Sequence, residues 1–238
     1  MNKTAEGHSL RDDVSNYDKN AYERPSVTVD NCICTIMDGE LRVLLIKRKF
    51  PPFRDCWAIP GGFVDVKAKE TLLETAEREL EEETSLKNVH IEQFQTYGDP
   101  GRDPRMRIIT VAFFALVPSD KLGKVEASDD AKEYGWFSLE KPPKLGFDHD
   151  RILRDLGKRL KEKIRNYPIA FSFVPKRFTW TELKSVYETI LGKKIRDSNF
   201  RRDIMRIFSL EYTKHFGRLS TSGRRPRLLS YKGIKKTF

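Results

Sequence analysis

Two stretches early in the chain, Ser26 to Ile36 and Leu41 to Lys47, are dense in Val, Ile, Leu and Cys, and Asp38-Gly39 stands between them. That pattern predicts a β-hairpin closed by a tight turn. Cys32, Cys34 and Ile36 sit two apart and share one face of the first strand. Pro51-Pro52 interrupts the chain, and Trp57 to Val64 predicts a strand running into the Gly61-Gly62 turn. Glu70 to Thr84 is helical by composition. Val89 to Tyr97 and Ile108 to Val117 predict further strands, separated by a polar loop from Gly98 to Arg107. Tyr134 to Ser138 predicts a short strand ahead of the Pro142-Pro143 break. A basic amphipathic helix over Asp150 to Arg165 then leads to Pro168. Thr179-Trp180-Thr181-Glu182 is a capping box. It opens a helix with Leu183, Val186, Tyr187, Ile190 and Leu191 at helical spacing, ended by Gly192. Asp197 or Ser198 can cap a second helix with Phe200, Ile204, Ile207 and Phe208 on its apolar face. Two strands, Leu210 to His215 and Leu228 to Tyr231, follow. No internal repeat or low-complexity tract appears.

Composition sharpens this outline into two parts. A chain of 238 residues holds one large domain or two modest ones. Residues 1–150 carry 21 Lys and Arg against 28 Asp and Glu, a net −7, while residues 151–238 carry 24 against 7, a net +17. An acidic half suits cations and a basic half suits a polyanion. Cys32, Cys34 and Cys56 form no CxxC pair, which argues against a disulfide framework or zinc site and for a reducing cytoplasm; all three are expected in the core. The longest apolar run, Ile108 to Val117, is too short to span a bilayer as a helix. Met1 to Glu23 lacks the apolar stretch of a signal peptide, and residues 1–24 read as a flexible arm.

The chemistry-bearing stretch is Gly61-Gly62-Phe63-Val64-Asp65, then Glu70, then Arg78-Glu79-Leu80-Glu81-Glu82-Glu83. At 100° per residue, Leu72, Leu73, Ala76 and Leu80 cover a stripe about 100° wide, the expected buried face. Glu79 and Glu83 fall about 20° either side of Leu72, with Glu82 flanking them at about −80°. Glu74, Glu77 and Glu81 point to the opposite, wet face. Carboxylates crowded at the rim of a buried face lose hydration and repel one another. A divalent cation relieves both, and hard oxygen ligands select Mg²⁺ or Mn²⁺.

These residues resemble the Nudix box, and the likeness covers roughly residues 25–147. Glu70, Arg78, Glu79, Leu80, Glu82 and Glu83 match at the right mutual spacing. Two departures stand out: seven residues rather than five separate Gly62 from Glu70, and Ser85 replaces the final glycine, an easy left-handed helix stop. The resemblance implies an α/β/α sandwich around a mixed sheet. It also implies that Glu79 and Glu83 bind the principal metal, helped by Glu82 and the Gly61 carbonyl, while Arg78 orients a glutamate and Glu70 braces the loop. The implied reaction is attack of water on a diphosphate linked to a nucleoside. Gly98 to Arg105 resembles the loop before a core strand in ADP-ribose pyrophosphatases. There Arg102 or Arg105 meets a phosphate or ribose oxygen, or else pairs with Asp99 and Asp103 and only stiffens the turn. Asp129 and Asp130 lie where related enzymes place a further ligand or base, although a solvated loop is the plainer reading.

Helix, turn, basic helix and basic hairpin over residues 170–232 resemble a winged helix, whose second helix enters the major groove while the wing follows phosphates. Asn199, Arg202 and Arg206 then face bases, and Arg224 and Arg225 face the backbone. Following a Nudix domain, this arrangement resembles the Nudix-related transcriptional regulators, with homodimers on double-stranded DNA implied. His149 opens the linking helix in a packing role. The expected organisation is an arm over 1–24, a Nudix domain over 25–147, a linking helix over 148–169 and a winged helix over 170–238. Two functions follow: a metal-dependent hydrolase of ADP-ribose or a related nucleoside diphosphate derivative, or a repressor whose Nudix domain senses ADP-ribose or a sugar without catalysis. The intact glutamate set favours the first, and the two are compatible. A third reading has the basic half gripping RNA while the Nudix site hydrolyses a cap or 5′ end.

Overall fold

A computed structural model describes residues 17–18, 20–84, 89–122, 131–218 and 225–235, with only the backbone of Glu83 and Lys121. The predicted hairpin forms as β1 (Ser26–Met37) and β2 (Glu40–Arg48), with Asp38 and Gly39 both at positive φ as the turn requires. The strand expected over Trp57 to Val64 is instead two short strands, β3 (Trp57–Ala58) on β2 and β4 (Gly61–Phe63) on β1. Pro60 has no N–H to give to a ladder, and its carbonyl accepts from the Asn31 N–H at 2.7 Å as the chain crosses over. Further along, β5 (Ile91–Tyr97), β6 (Ile108–Leu116) and β7 (Ala131–Ser138) complete a seven-stranded sheet of order β3-β2-β1-β6-β5, with β4 on β1 and β7 on β2. The β1–β6 pair is parallel and the other pairs are antiparallel, so the sheet is mixed.

Strand alternation sends β1 to two different cores. Ile33 and Val29 pack with Leu80 and Ala76 of α1 (Leu72–Thr84), whereas Cys32 and Cys34 pack on the other face with Leu153, Leu156 and Leu160 of α2 (His149–Lys163). The sheet is therefore sandwiched between helices. Cys56, expected inside, is only half-buried, because it lies in the loop after the proline break. On α1 the buried stripe is Thr75, Ala76, Leu80 and Thr84, and Leu73 is 45% exposed. Leu73 shares the angle of Leu80 and Thr84 but sits in the first turn, where it stays exposed, while Thr75 widens the stripe on the other side. A capping box precedes this helix: the Glu74 N–H donates to Thr71 Oγ1 at 3.2 Å and the Thr71 N–H to Glu74 Oε2 at 2.7 Å.

Beyond α2 a short 3₁₀ turn, Pro168–Phe173, leads to α3 (Trp180–Leu191), α4 (Asp197–Ile207) and the antiparallel pair β8 (Phe208–Phe216) and β9 (Arg227–Ile234). The capping box at Thr179 and Glu182 is present on both sides, and Gly192 ends α3 in the left-handed region at φ 66°. Thr179→Ala removes the two bonds of the hydroxyl, to the Glu182 N–H and carboxylate, and is expected to destabilise the fold by about 1 kcal/mol in chemical denaturation. The cap expected at Asp197 or Ser198 is not made. Arg196 is the N-cap and offers no side-chain bond, while Asp197 pairs with Lys184 at 2.5 Å. Phe208, expected on the helix face, starts β8 but is still fully buried. A single apolar core runs from Cys32, Val43 and Phe114 through α2 to Phe178, Leu183, Phe200 and Phe208. Among the described residues no helix is long and apolar enough to cross a membrane.

Candidate catalytic centre and nucleic-acid surface

The centre is assembled around one guanidinium. Arg78 Nε donates to Glu70 Oε1 at 2.9 Å, and Nη1 donates to Glu79 Oε1 at 2.8 Å and Glu82 Oε2 at 3.1 Å. Nη2 reaches the Phe63 carbonyl at 3.4 Å, tying the helix to the glycine turn. Glu70 therefore arrives despite the longer loop. Asp65 Oδ1 accepts from the Lys67 and Ala68 N–H groups at 2.8 and 3.1 Å, and Lys69 takes a positive φ of 58°. This Asx turn takes up the additional residues.

Two carboxylates on the same arginine end up with opposite electrostatics. The bond from Arg78 is the main reason that Glu70 titrates below its ordinary range. Glu79 is pushed upward, chiefly because burial penalises its charge more than Arg78 compensates. Backbone approach is close here too: a Cβ on Gly62 would lie 2.0 Å from Glu79 Oε1, and one on Gly61 would lie 2.1 Å from the Val29 carbonyl oxygen. Only glycine lets β4 lie against the helix and β1. Glu83 is on the same helix, but its side chain lies outside the described residues, as do Ser85, Asp129 and Asp130. Among the described residues, no group of three or more His, Cys, Asp or Glu side chains is placed to hold a metal ion. The described oxygens, Glu79 and Glu82 beside the Gly61 strand, are hard donors of the kind that suits a divalent cation.

These residues line a cavity of about 780 Å³ together with Asp30, Arg48, Phe63, Arg102 and Arg105. Arg102 pairs with neither of the loop aspartates weighed from sequence. Its Nη2 and Nε meet the Asp148 carboxylate at 2.7 and 3.1 Å, with Asp30 at 3.6 Å. Arg105 does pair with Asp103, through Nε at 3.0 Å and Nη2 at 2.8 Å, and lies over the Phe63 ring. Asp148 is the N-cap residue of α2 yet makes no side-chain cap bond, because Arg102 takes its carboxylate. Beside it, His149 Nδ1 accepts from the Ile59 N–H at 2.8 Å, and burial lowers its pKa and keeps it neutral. Sequence reasoning passed over Asp30 and Asp148. Asp30 had a signal, a lone acid inside the apolar Val27-to-Ile36 strand; Asp148 had none.

On the basic half, Asn199, Arg202 and Arg206 are all exposed along α4, opposite the buried Phe200 and Ile204. Arg225, just before β9, is exposed; Arg224 and Gly223 lie outside the described residues. Trp180 Nε1 donates to Tyr212 OH at 3.3 Å, joining α3 to β8, with Arg201 over Trp180 and Arg227 over Tyr212.

Residues 28–156 match the NUDIX domain family, and residues 170–230 match the NrtR DNA-binding winged helix domain. The chain belongs to the Nudix family. This Nudix protein is 35% identical over 218 residues to the ADPR responsive transcriptional repressor NtrR of Acinetobacter baylyi, covering 91% of this chain and 85% of that one. An ADP-ribose pyrophosphatase of Methanocaldococcus jannaschii is 42% identical over 134 residues, 56% of this chain and 74% of the relative. In structure it is similar to Shewanella oneidensis NrtR complexed with a 27mer DNA: TM-score 0.74, 32% identity, 87% of this chain and 93% of the other. The Nudix protein thus joins an ADP-ribose-pyrophosphatase-like α/β/α sandwich to a C-terminal winged helix of the NrtR type. Hydrolases of this family generally use divalent metals.

Proposed function

We propose that the Nudix protein hydrolyses the diphosphate of ADP-ribose, or of a related nucleoside diphosphate derivative, using Mg²⁺ or Mn²⁺, and that it also binds double-stranded DNA as a homodimer. The observation that carries the catalytic reading is the complete Arg78 clamp, which presents Glu79 and Glu82 at a cavity wall while Glu70 fixes the loop. In this reading Glu79, Glu83 and Glu82 hold the cation with the Gly61 carbonyl. The bound metal supplies charge stabilisation and a nucleophilic oxygen near neutral pH. Arg78 positions the carboxylates. Arg102 and Arg105 each keep donors beyond their carboxylate partners, since a guanidinium has five N–H groups, and these meet the diphosphate or a ribose oxygen. Asn199, Arg202 and Arg206 read bases, and Arg224 and Arg225 follow phosphates. The working division is an arm to residue 24, a Nudix unit over 25–147, a linking helix over 148–169 and the DNA-binding unit over 170–238.

A second reading, a DNA-binding repressor that senses the ligand without hydrolysis, draws support from Arg102. That side chain lines the cavity and grips Asp148 at the start of the helix leading to the winged helix. Incubation with ADP-ribose and Mg²⁺ followed by product analysis separates the two. AMP and ribose 5-phosphate are the expected products. Unchanged ADP-ribose that still alters a band shift with the protein's own upstream region leaves the sensor alone.

A further inference from the structure

A second cavity, of about 410 Å³, lies at the opposite end of β2 from the nucleotide pocket. Its walls come from both halves of the chain. The start of β2 supplies Leu41, the residue after β7 is Leu139, α2 supplies Leu153 and Gly157, and α3 of the winged helix supplies Thr189 and Ile190. Thr189 Oγ1 donates to the Gly39 carbonyl at 3.2 Å, so a direct hydrogen bond already joins the two halves at this wall. Cavities of this size at domain junctions are the usual setting of small-molecule sites.

Three features give the cavity a chemical preference. Its floor is apolar: Leu139, Leu153 and Ile190 are all buried. Its rim carries Arg154, Lys158 and Lys161 from one side of α2, facing Glu40 and Glu140 from the sheet side. Lys161 pairs with Glu140 and Lys158 with Asp155, both at 3.1 Å, while Arg154 has no carboxylate partner among the described residues. Finally, Gly157 stands in the middle of α2, where glycine disfavours a helix relative to alanine. No close approach demands it, since an added Cβ would meet only Leu139 Cδ2, at an ordinary 3.9 Å. The bare backbone at 157 keeps the α2 wall of the cavity open beside Leu139.

We propose that this junction cavity is a second ligand site, taking a small amphipathic anion: an aromatic or branched apolar body with one carboxylate or phosphate. The apolar body lies in the cavity against Leu139, Leu153 and Ile190, and the anionic group meets Arg154 at the rim through charge-assisted hydrogen bonds. A guest held there touches the sheet, the linking helix and the winged helix together. It biases DNA binding only to the extent that it prefers one arrangement of those parts.

The inference does not rest on nucleotide hydrolysis, and its test uses the full chain. Benzoate and phenyl phosphate serve as anionic probes, with benzyl alcohol as the neutral counterpart, titrated by ligand-observed NMR. At least one anion is expected to bind with a Kd of roughly 1 mM or tighter, and benzyl alcohol at least about threefold more weakly; which anion binds better tells carboxylate from phosphate. Gly157→Leu, which fills the space, should weaken the anion at least about tenfold. Arg154→Gln should bring it down to the level of benzyl alcohol. ADP-ribose affinity should be unchanged in both variants, which reports an intact nucleotide pocket. Arg154 is exposed, so its substitution keeps the test valid should leucine disturb the helix. Parent-like anion affinity in Arg154→Gln, or no saturable binding to the parent up to about 20 mM, overturns the proposal.

Discussion

Glu79→Gln is expected to lower the Mg²⁺-dependent rate of ADP-ribose hydrolysis by about 10²-fold or more, with the fold intact. The substitution keeps the shape of the side chain, so the close contact with Gly62 is undisturbed. It removes the one charge in the clamp that burial already strains: Glu79 is the carboxylate pushed upward, with a side chain 13% exposed. Glu70 keeps its bonds to Arg78 and Thr75, so the loop stays in place and the loss belongs to charge at the reacting phosphate. Glu83→Gln, one turn along the helix, should behave alike. Glu81→Gln, on the exposed face, should change little. Turnover measured beside thermal unfolding decides the matter: equal rates for Glu79→Gln and parent would sink the catalytic assignment.

The second large effect is expected at the DNA surface. Arg202→Ala or Arg206→Ala should cost roughly 1–3 kcal/mol of discrimination between specific and random duplex if that side chain reads a base. Both arginines are exposed on the side of α4 away from Phe200 and Ile204, so truncation leaves the core untouched. Among the described residues Arg202 has only a long 3.4 Å contact, with its neighbour Asp203, and this leaves guanidinium donors for a base edge. Arg225→Ala should act differently, weakening all sequences alike and flattening the salt dependence by about one counterion. Fluorescence anisotropy on both duplexes across a salt series tells these apart. Parent-like discrimination in both α4 variants would remove that helix as the reader.

Periodic elements were legible in the sequence because their patterns are local. The hairpin at Asp38-Gly39, the glutamate helix and the capping box at Thr179 follow from side-chain spacing alone, and the box motif identified the fold. Phase was harder. Leu73 is apolar and falls within a plausible stripe, yet in the first turn it stays exposed, and Thr75 is buried instead. The break at Pro60 was visible as a residue, but not its consequence, a crossover between β2 and β1. Least legible were contacts between distant loops. Nothing near Arg102 announces a partner 46 residues away at Asp148, because both residues are ordinary loop types and only the folded sheet brings them together.

The apolar core that passes through α2 without interruption also limits how a dimer could measure DNA. A reading head on a floppy tether samples many separations, so half-sites at different distances compete on nearly equal terms. Here the head is seated in the same packed interior as the Nudix body, so in the proposed homodimer its reach would be fixed like the jaw of a calliper. Each base pair inserted between half-sites turns one of them about 34–36° around the duplex axis, and a rigid pair of heads has no slack to follow it. Operator spacing then becomes as much a part of the recognised address as the bases themselves.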